Sequence, residues 1–541
     1  MNKKSGALFV GLGIFLSRIA GLVRERAFAH YLGNSDASDA FRAALKIPNF
    51  LQNLFGEGVL SASFIPVYAG LLAREHNEAQ SSDEQKVEAS EVASIIGTLL
   101  FLLTSILVVA GIVFTPFLIN TIAPGFTGAK KDLTITLVQI FFPGTGLVVM
   151  SAWCLGILNS HRRFFLSYAA PVVWNAAIIF TLLYFGNNNS QYELAIIAGW
   201  GLVAGSFLQV AVQLPTTMKL LKHFKPSLKA RQLHVQIILK NFIPSIISRG
   251  VVQVSSYIDN ILASLLASGA VSNLGFAQTI YTLPISLFGM SISASELPEM
   301  SSLLGSQEEI YQKLRIRLQR GIERISFFII PSMCAFVFLG DILVGALYQS
   351  GEFTAETTHV VWIVLIGSSV GLLASTLGRL YSSTFFSLKD TRTTLHFAIV
   401  RIIAATVLGY LFAFKLAPMI APNEMYATAG LTASAGLSGW IEFALLRRKL
   451  NKTIGHTGIR FSYQLKLWLA ALIAACLGLL IKYIFTTEAA LELSRSFLGH
   501  PIPKAICIFS CYGAIYFLVT YLLNIEESRS FINKIKSKFL R

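Results

Sequence analysis

Long apolar runs separated by short polar, mostly basic stretches organise this chain. Residues 92–119, 194–214 and 467–485 each approach the roughly 20 residues that a helix needs to cross a hydrocarbon core. Hydropathy predicts about fourteen helices, at 6–30, 39–72, 92–119, 133–157, 164–184, 194–216, 238–266, 270–303, 321–345, 356–386, 394–415, 425–447, 465–485 and 502–523. The second and eighth are long and carry Pro or Gly near their middles (Pro48, Gly56 and Gly58; Pro284 and Gly289). Both are predicted to be bent or broken.

Composition sharpens the class. Of 541 residues, 54% are hydrophobic and 13% charged, about half the charged share of a soluble chain. Too little polar surface remains to solvate a water-exposed fold, so the chain reads as an all-α polytopic membrane protein. Its N-terminus imitates a secretory signal, but Arg18, Arg24 and Arg26 interrupt the apolar stretch and no small-residue cleavage site follows. We read it as a retained first helix. Cys154, Cys334, Cys476, Cys507 and Cys511 lie in apolar segments without metal-ligand spacing, so packing is their expected role. No metal or cofactor is expected.

Charge sets the orientation. One alternate set of loops and ends holds 29 basic residues, from Lys3 and Lys4 through 219–240 and 447–466 to the tail at 529–541, whereas the other holds 4: Lys130, Lys131, Arg495 and Lys504. The rich set belongs on the cytoplasmic side, with both termini. This bias accounts for most of the +16 net charge. Nucleic acid is therefore not a partner that the charge calls for, and contact with anionic membrane lipid is.

A weak internal match adds organisation. Residues 55–66 read FGEGVLSASFIP and residues 288–298 read FGMSISASELP, each after a proline in the bent span of its half. Apolar helices also run into basic turns at 159–164 and 388–393. Two homologous six-helix halves in parallel orientation are expected: 1–216, a basic linker 217–237, and 238–450. Residues 451–541 add two helices and a basic cytoplasmic tail. Transporters with repeats of this kind place their substrate between the halves.

Ionisable side chains at mid-membrane cost roughly 2.5–3.5 kcal/mol on insertion scales unless a cavity or partner receives them. The first half holds Arg18, Arg24, Glu25 and Arg26 in helix 1, then Asp39, Arg42, Lys46 and Glu57 in helix 2. Arg18, Gly21 and Glu25 share one helical face with Arg24 at its edge. Guanidinium forks in such a cavity grip phosphate; snorkelling or internal pairing is the alternative, strongest for Arg26, Arg42 and Lys46. In the second half Arg249 and Arg379 are the better cavity candidates. Arg401 either lines the cavity or pairs with a neighbour, while Glu296 and Glu299 are expected in water. No GxSxG, P-loop or HExxH motif occurs, so hydrolytic or ATP-driven chemistry has no support.

Ordered motifs along the chain carry a resemblance: Ser17-Arg18-Ile19-Ala20-Gly21-Leu22-Val23-Arg24, Asp39-Ala40-Phe41, Ile47-Pro48-Asn49, Phe55-Gly56-Glu57-Gly58, Ala123-Pro124-Gly125-Phe126, Gly201-x3-Gly205-x3-Gln209-x3-Gln213, and Leu347-Tyr348-Gln349. From about residue 10 to 450 the chain resembles the MviN/MurJ family of lipid II flippases. The resemblance implies the MOP exporter fold, with two six-helix lobes around a central V-shaped cavity and two C-terminal helices forming a lipid-side groove. It also implies a non-enzymatic flippase of the bacterial inner membrane. Such a protein moves undecaprenyl-pyrophosphate-linked peptidoglycan precursor from the cytoplasmic to the outer leaflet by alternating access.

By position, Ser17, Arg18, Arg24 and Arg379 become substrate-binding expectations, and Arg249 joins them as a cavity candidate read from its place in helix 7. Asp39, Glu57, Arg42 and Lys46 become gating or charge-pair expectations, with Asp39 and Glu57 pairing with Arg18 and Arg24 when the cavity is empty. Lipid II and membrane lipids are the expected partners, with cell-wall synthesis proteins as candidates. The chain departs from the family at Gln52-Asn53 and at Gln278-Thr279, where relatives often carry charge. The sodium site of some members takes Asn or Asp from helix 11, and residues 394–415 contain neither. An exporter of another polyprenyl-linked glycan, of O-antigen type, is the alternative. A drug/cation antiporter fits less well because the cavity set is cationic.

Overall fold

The computed structural model describes residues 3–77, 88–221, 224–420, 426–485, 500–530 and 533. All regular elements among them are helical, and the chain divides into two compact units, Met1–Ser272 and Asn273–Arg541. The first unit contains α1 (Lys3–Leu32), α2 (Asp36–Phe55), α3 (Glu57–Asn77), α4 (Glu88–Ile122), α5 (Gly128–Ser160), α6 (Phe164–Phe185), α7 (Gln191–Leu221) and α8 (Leu233–Ser264). Helix α9 (Ala270–Pro284) starts in the first unit and continues into the second. There follow α10 (Ser291–Ser301), α11 (Gln307–Tyr348), α12 (Ala355–Ser369), α13 (Leu372–Ser387), α14 (Thr391–Leu411), α15 (Ala417–Ile420), α16 (Ala427–Ile454), α17 (Phe461–Ile484) and α18 (Pro501–Leu522).

Ten helical stretches among the described residues are long and apolar enough to cross a membrane, or eleven when the bent pair α12 and α13 counts as one. Helix α1 is not among the ten, and it carries Arg18, Arg24, Glu25 and Arg26. Both predicted interruptions are present. Between α2 and α3 the Gly56 N–H donates to the Gln52 carbonyl at 2.7 Å, and a Cβ at Gly56 would overlap that carbonyl. Between α9 and α10 the chain makes a wide π-helical turn, Ile285–Met290. A third break was not foreseen. Helices α12 and α13 bend by 42° where Gly371 packs on Gly436 of α16. A Cβ on Gly436 would sit 2.7 Å from the Gly371 nitrogen, so two glycines are needed for this approach.

Polar side chains join the helices of the first unit. Trp153 lies against Gly97 and donates to the Ala93 carbonyl at 3.1 Å. The small-residue stripe of α7 does the same on its other side. Gly201 faces Thr181, Gly205 faces the Trp174 backbone, and Gln209 and Gln213 bracket the Ser151 hydroxyl at 2.8 and 2.7 Å.

In the second unit α11 runs unbroken for 42 residues from a Ser306–Glu309 capping box. At 1.5 Å per residue it is about 63 Å long, twice a hydrocarbon core of roughly 30 Å. Pro331 inside it has no N–H to give the Phe327 carbonyl one turn earlier. The Tyr516 hydroxyl of α18 donates to that carbonyl at 2.6 Å, and Tyr512 donates to the Pro331 carbonyl at 2.7 Å. Glu296 is not in water as expected from sequence: it is buried, 3.3 Å from Arg317 and 3.9 Å from Arg324. Arg317 also holds Glu299 at 2.7 Å. Long arginines about three and five turns into α11 reach over α10, a tertiary effect that local hydropathy does not register.

Candidate functional site

Three charges on α2 at positions 39, 42 and 46 follow helical i, i+3, i+7 spacing and share one face. Each meets a partner from a different helix of the first unit. Arg42 Nη2 lies 2.7 Å from Glu25 Oε2 on α1. The other oxygen, Oε1, lies 2.7 Å from Arg24 Nη2. One carboxylate thus bridges two guanidinium groups, and the trio carries a net single positive charge.

The surroundings aim these groups. Arg24 Nη1 donates to Asn175 Oδ1 at 3.1 Å, and Asn175 is fixed in turn by donating to the Pro171 carbonyl at 2.9 Å. The Arg24 guanidinium sits 5.0 Å from the Trp174 ring, and that of Arg42 sits 5.0 Å from Phe28. Side-chain exposure is 25% for Arg24, 13% for Arg42 and 12% for Glu25. Toward the start of α1, no atom lies within 4 Å of the place a Gly21 Cβ would take, and Arg18 beyond it is exposed. Ser17 beside it is half-buried. The arrangement is a positively charged notch in which the stronger cations are already oriented and shared with a displaceable carboxylate. Planar guanidinium forks of this kind suit phosphate oxygens.

Asp39 is almost fully buried, and its partners are not the arginines. It accepts from Lys130 Nζ at 2.7 Å, from the Gly269 N–H at 2.8 Å and from the Ser272 N–H at 2.7 Å. The last two are donors at the start of α9, which have no intrahelical acceptor. Asp36 adds Lys130 at 2.8 Å and the Ser268 hydroxyl at 2.6 Å, while Ser272 donates to Ser38 at 2.8 Å. Lys46 lies within Coulombic reach of Asp259 on α8, and its carbonyl accepts from Tyr257 at 2.6 Å. The side chains of Glu57 and Arg249 lie outside the described residues.

In the second unit Arg401 Nη1 pairs with Glu442 Oε2 at 3.1 Å. Arg379 is exposed and lies within reach of the charges of both, near Tyr281, whose hydroxyl donates to Ser375 at 3.4 Å.

Sequence reasoning did not assign roles to Glu25, Asn175, Trp174 or Lys130. Glu25 was visible as a charge inside an apolar helix; the other three carry no local signal because their partners are distant in sequence. No group of three or more His, Cys, Asp or Glu side chains among the described residues is placed to hold a metal ion.

The sequence profile of a family described as Lipid II flippase MurJ matches residues 28–495. A Rickettsia prowazekii protein named "Probable lipid II flippase MurJ" is 28% identical over 524 residues, 95% of this chain and 97% of its own. A Burkholderia cenocepacia protein named "Lipid II flippase MurJ" is 29% identical over 460 residues, 84% of each chain. Among solved structures, one of Lipid II flippase MurJ in an inward closed conformation matches with a TM-score of 0.76 at 23% identity. It covers 97% of this chain and 100% of that one. An inward-facing multidrug resistance MATE family transporter of the MOP superfamily matches at 0.61 and 16% identity, over 80% and 94%. At these identities the structures establish the fold, which is that of the MOP exporters.

Proposed function

Because the chain belongs to the MurJ lipid II flippase family, we propose that it carries lipid II from the cytoplasmic to the outer leaflet by alternating access. The observation that supports this reading is the Arg24–Glu25–Arg42 bridge. A polyprenyl pyrophosphate presents several anionic oxygens, more than the single carboxylate of Glu25. It competes for both guanidinium groups, and Asn175 and Trp174 keep Arg24 in place while the exchange occurs. Arg18 and Ser17 extend the grip along α1, and Arg379 enters this proposal through the resemblance. Glu57 enters this proposal through the sequence and the resemblance, and Arg249 through its place in the sequence.

Asp39 serves as a latch on the segment that opens α9, and its release from Gly269, Ser272 and Lys130 accompanies the change of access. Lys46 and Asp259 form a further charge pair on the same face of α2. No bond is made or broken in the cargo, so the protein acts as a transporter and not as an enzyme. A charge moved through 100 mV is worth about 2.3 kcal/mol, enough to bias such a cycle. The loop charges orient both termini to the cytoplasm of the bacterial inner membrane. The repeat divides the chain into lobes at 1–216 and 238–450, joined by 217–237.

Depletion of the protein tests the reading. Lipid II accessible at the outer leaflet should fall while lipid II accumulates inside. Unchanged accessibility with no accumulation overturns it. At equal expression, Arg18→Ala and Arg24→Ala should fail to complement whereas Arg26→Ala should succeed; the reverse pattern shows that the notch is not the site.

A further inference from the structure

We propose that the basic end of α16 holds the phosphate headgroup of an anionic glycerophospholipid. A pocket of about 590 Å³ opens there, lined by Trp440, Phe443, Arg447, Arg448, Asn451 and Lys452, with His456 at its edge. Three permanent cations face one pocket, and no carboxylate lines it. That separates it from the other basic pocket, at Lys229 and Arg231, where Glu91 lies 3.3 Å from Lys229 and offsets the charge.

The pocket is built rather than accidental. Arg447 Nε donates to the Thr457 carbonyl at 3.0 Å, and its guanidinium lies over Gly458, whose φ of +137° leaves no room for a side chain. Thr457 is buried and held from two sides, by Tyr381 at 2.9 Å and by Asn451 through its N–H at 3.0 Å. Arg447 therefore spends one donor on the loop and keeps its outer nitrogens oriented. Arg448 and Lys452 are exposed, and no carboxylate among the described residues shares the pocket with them. Oriented guanidinium donors beside a flexible ammonium suit a phosphodiester.

The occupant is a lipid because the pocket sits where an apolar helix turns polar. Trp440 borders it, as indole rings do at the headgroup level. On α16 itself Leu437 and Ile441 are exposed at 38% and 39%, and on the packed neighbour α14 Ile399 and Ile403 are exposed at 43% and 59%. Phe461, just past the loop, is 78% exposed. Acyl chains cover such faces, whereas a soluble phosphate leaves them bare. A bound headgroup would fasten the end of α16 to the loop that leads into α17. This inference depends on the chain lying in a membrane and not on the identity of its cargo.

Native mass spectrometry of the full-length protein in detergent tests it, with phosphatidylglycerol, phosphatidylethanolamine and inorganic pyrophosphate added in separate arms. Arg448→Ala/Lys452→Ala should weaken phosphatidylglycerol binding about 30-fold, roughly fivefold for each basic residue near the surface. Arg448→Lys/Lys452→Arg should retain binding, and Arg162→Ala/Lys219→Ala, which removes equal charge elsewhere, should leave it unchanged. Equal loss in this last variant, no loss in the first, or equal retention of phosphatidylethanolamine overturns the proposal. Displacement of the lipid by pyrophosphate at equal concentration reassigns the pocket to a soluble anion and also overturns it.

Discussion

Replacing Glu25 by Gln keeps the shape of the α1–α2 junction and removes the charge that both arginines share. Each guanidinium lies 2.7 Å from its own carboxylate oxygen. With charge centres roughly 4 Å apart at an effective dielectric of 20, each attraction is about 4 kcal/mol before desolvation, and the net worth of a charge-assisted bond is about 1.5–3 kcal/mol. The amide oxygen can accept from one arginine only, while its NH2 group faces the other. Stability should fall by about one such bond. Anion affinity should move the other way, because a pyrophosphate no longer displaces a carboxylate. A unit charge removed about 6 Å from the ligand, at effective dielectric constants of 20 to 40, contributes roughly 1.4–2.8 kcal/mol. Binding should therefore tighten between tenfold and about a hundredfold. Trp174, 5.0 Å from the Arg24 guanidinium, supplies the reporter. Purified protein titrated with undecaprenyl pyrophosphate should show a fluorescence change that is absent in Trp174→Phe. Turnover should slow, since tighter binding retards release. A folded Glu25→Gln protein that binds no tighter than the parent refutes the idea that this carboxylate competes with the ligand.

Three further outcomes follow from the fold. Asp39→Ala strands two amides and Lys130; breaking a buried pair costs about 3–5 kcal/mol, so deuterium uptake at Gly269 and Ser272 should rise between about a hundredfold and several thousandfold, and unchanged uptake removes Asp39 as their cap. Tyr516→Phe leaves the Phe327 carbonyl without a donor and should cost about 1–3 kcal/mol, more than Tyr512→Phe, because Pro331 O keeps its own helical donor; equal losses in thermal stability contradict this account. His161 accepts or donates a 3.0 Å bond with Tyr68, and burial, then the charge of Arg163, hold its pKa below the ordinary imidazole value. Its neutral form is favoured on folding, so its contribution is complete above about pH 6.5 and is lost as pH falls through the depressed value. The melting temperature of the parent should drop across that range more than that of His161→Gln.

The helical class, most of the apolar spans and two of the three breaks were legible in sequence, because hydropathy and glycine or proline placement are local properties. The α12–α13 bend was not, since Gly371 acquires meaning only against Gly436, which is far away along the chain. The arginines of α1 were legible as a cost without a partner. Their partnering was not: Asp39, expected beside Arg18 and Arg24, meets Lys130 and the start of α9 instead. Position on α2 decided this, because Asp39 lies near the first turn of the helix and Arg42 lies one turn further on, level with Glu25. Arg401, left between cavity and pair, is paired with Glu442.

The length of α11 has a mechanical consequence. A rod of about 63 Å that crosses a core of roughly 30 Å leaves about half of itself outside the hydrocarbon, and the capping box at Ser306 keeps its free end from fraying. The outer turns, with Glu308, Lys313 and Arg320, then behave as a lever. A tilt of about 10° at the membrane surface displaces the tip by about 4 Å over the roughly 21 Å of arm from residue 307 to 320. A spin label near residue 308 would register a rotation of the buried portion too small to detect there, which makes this end a natural gauge of the working cycle.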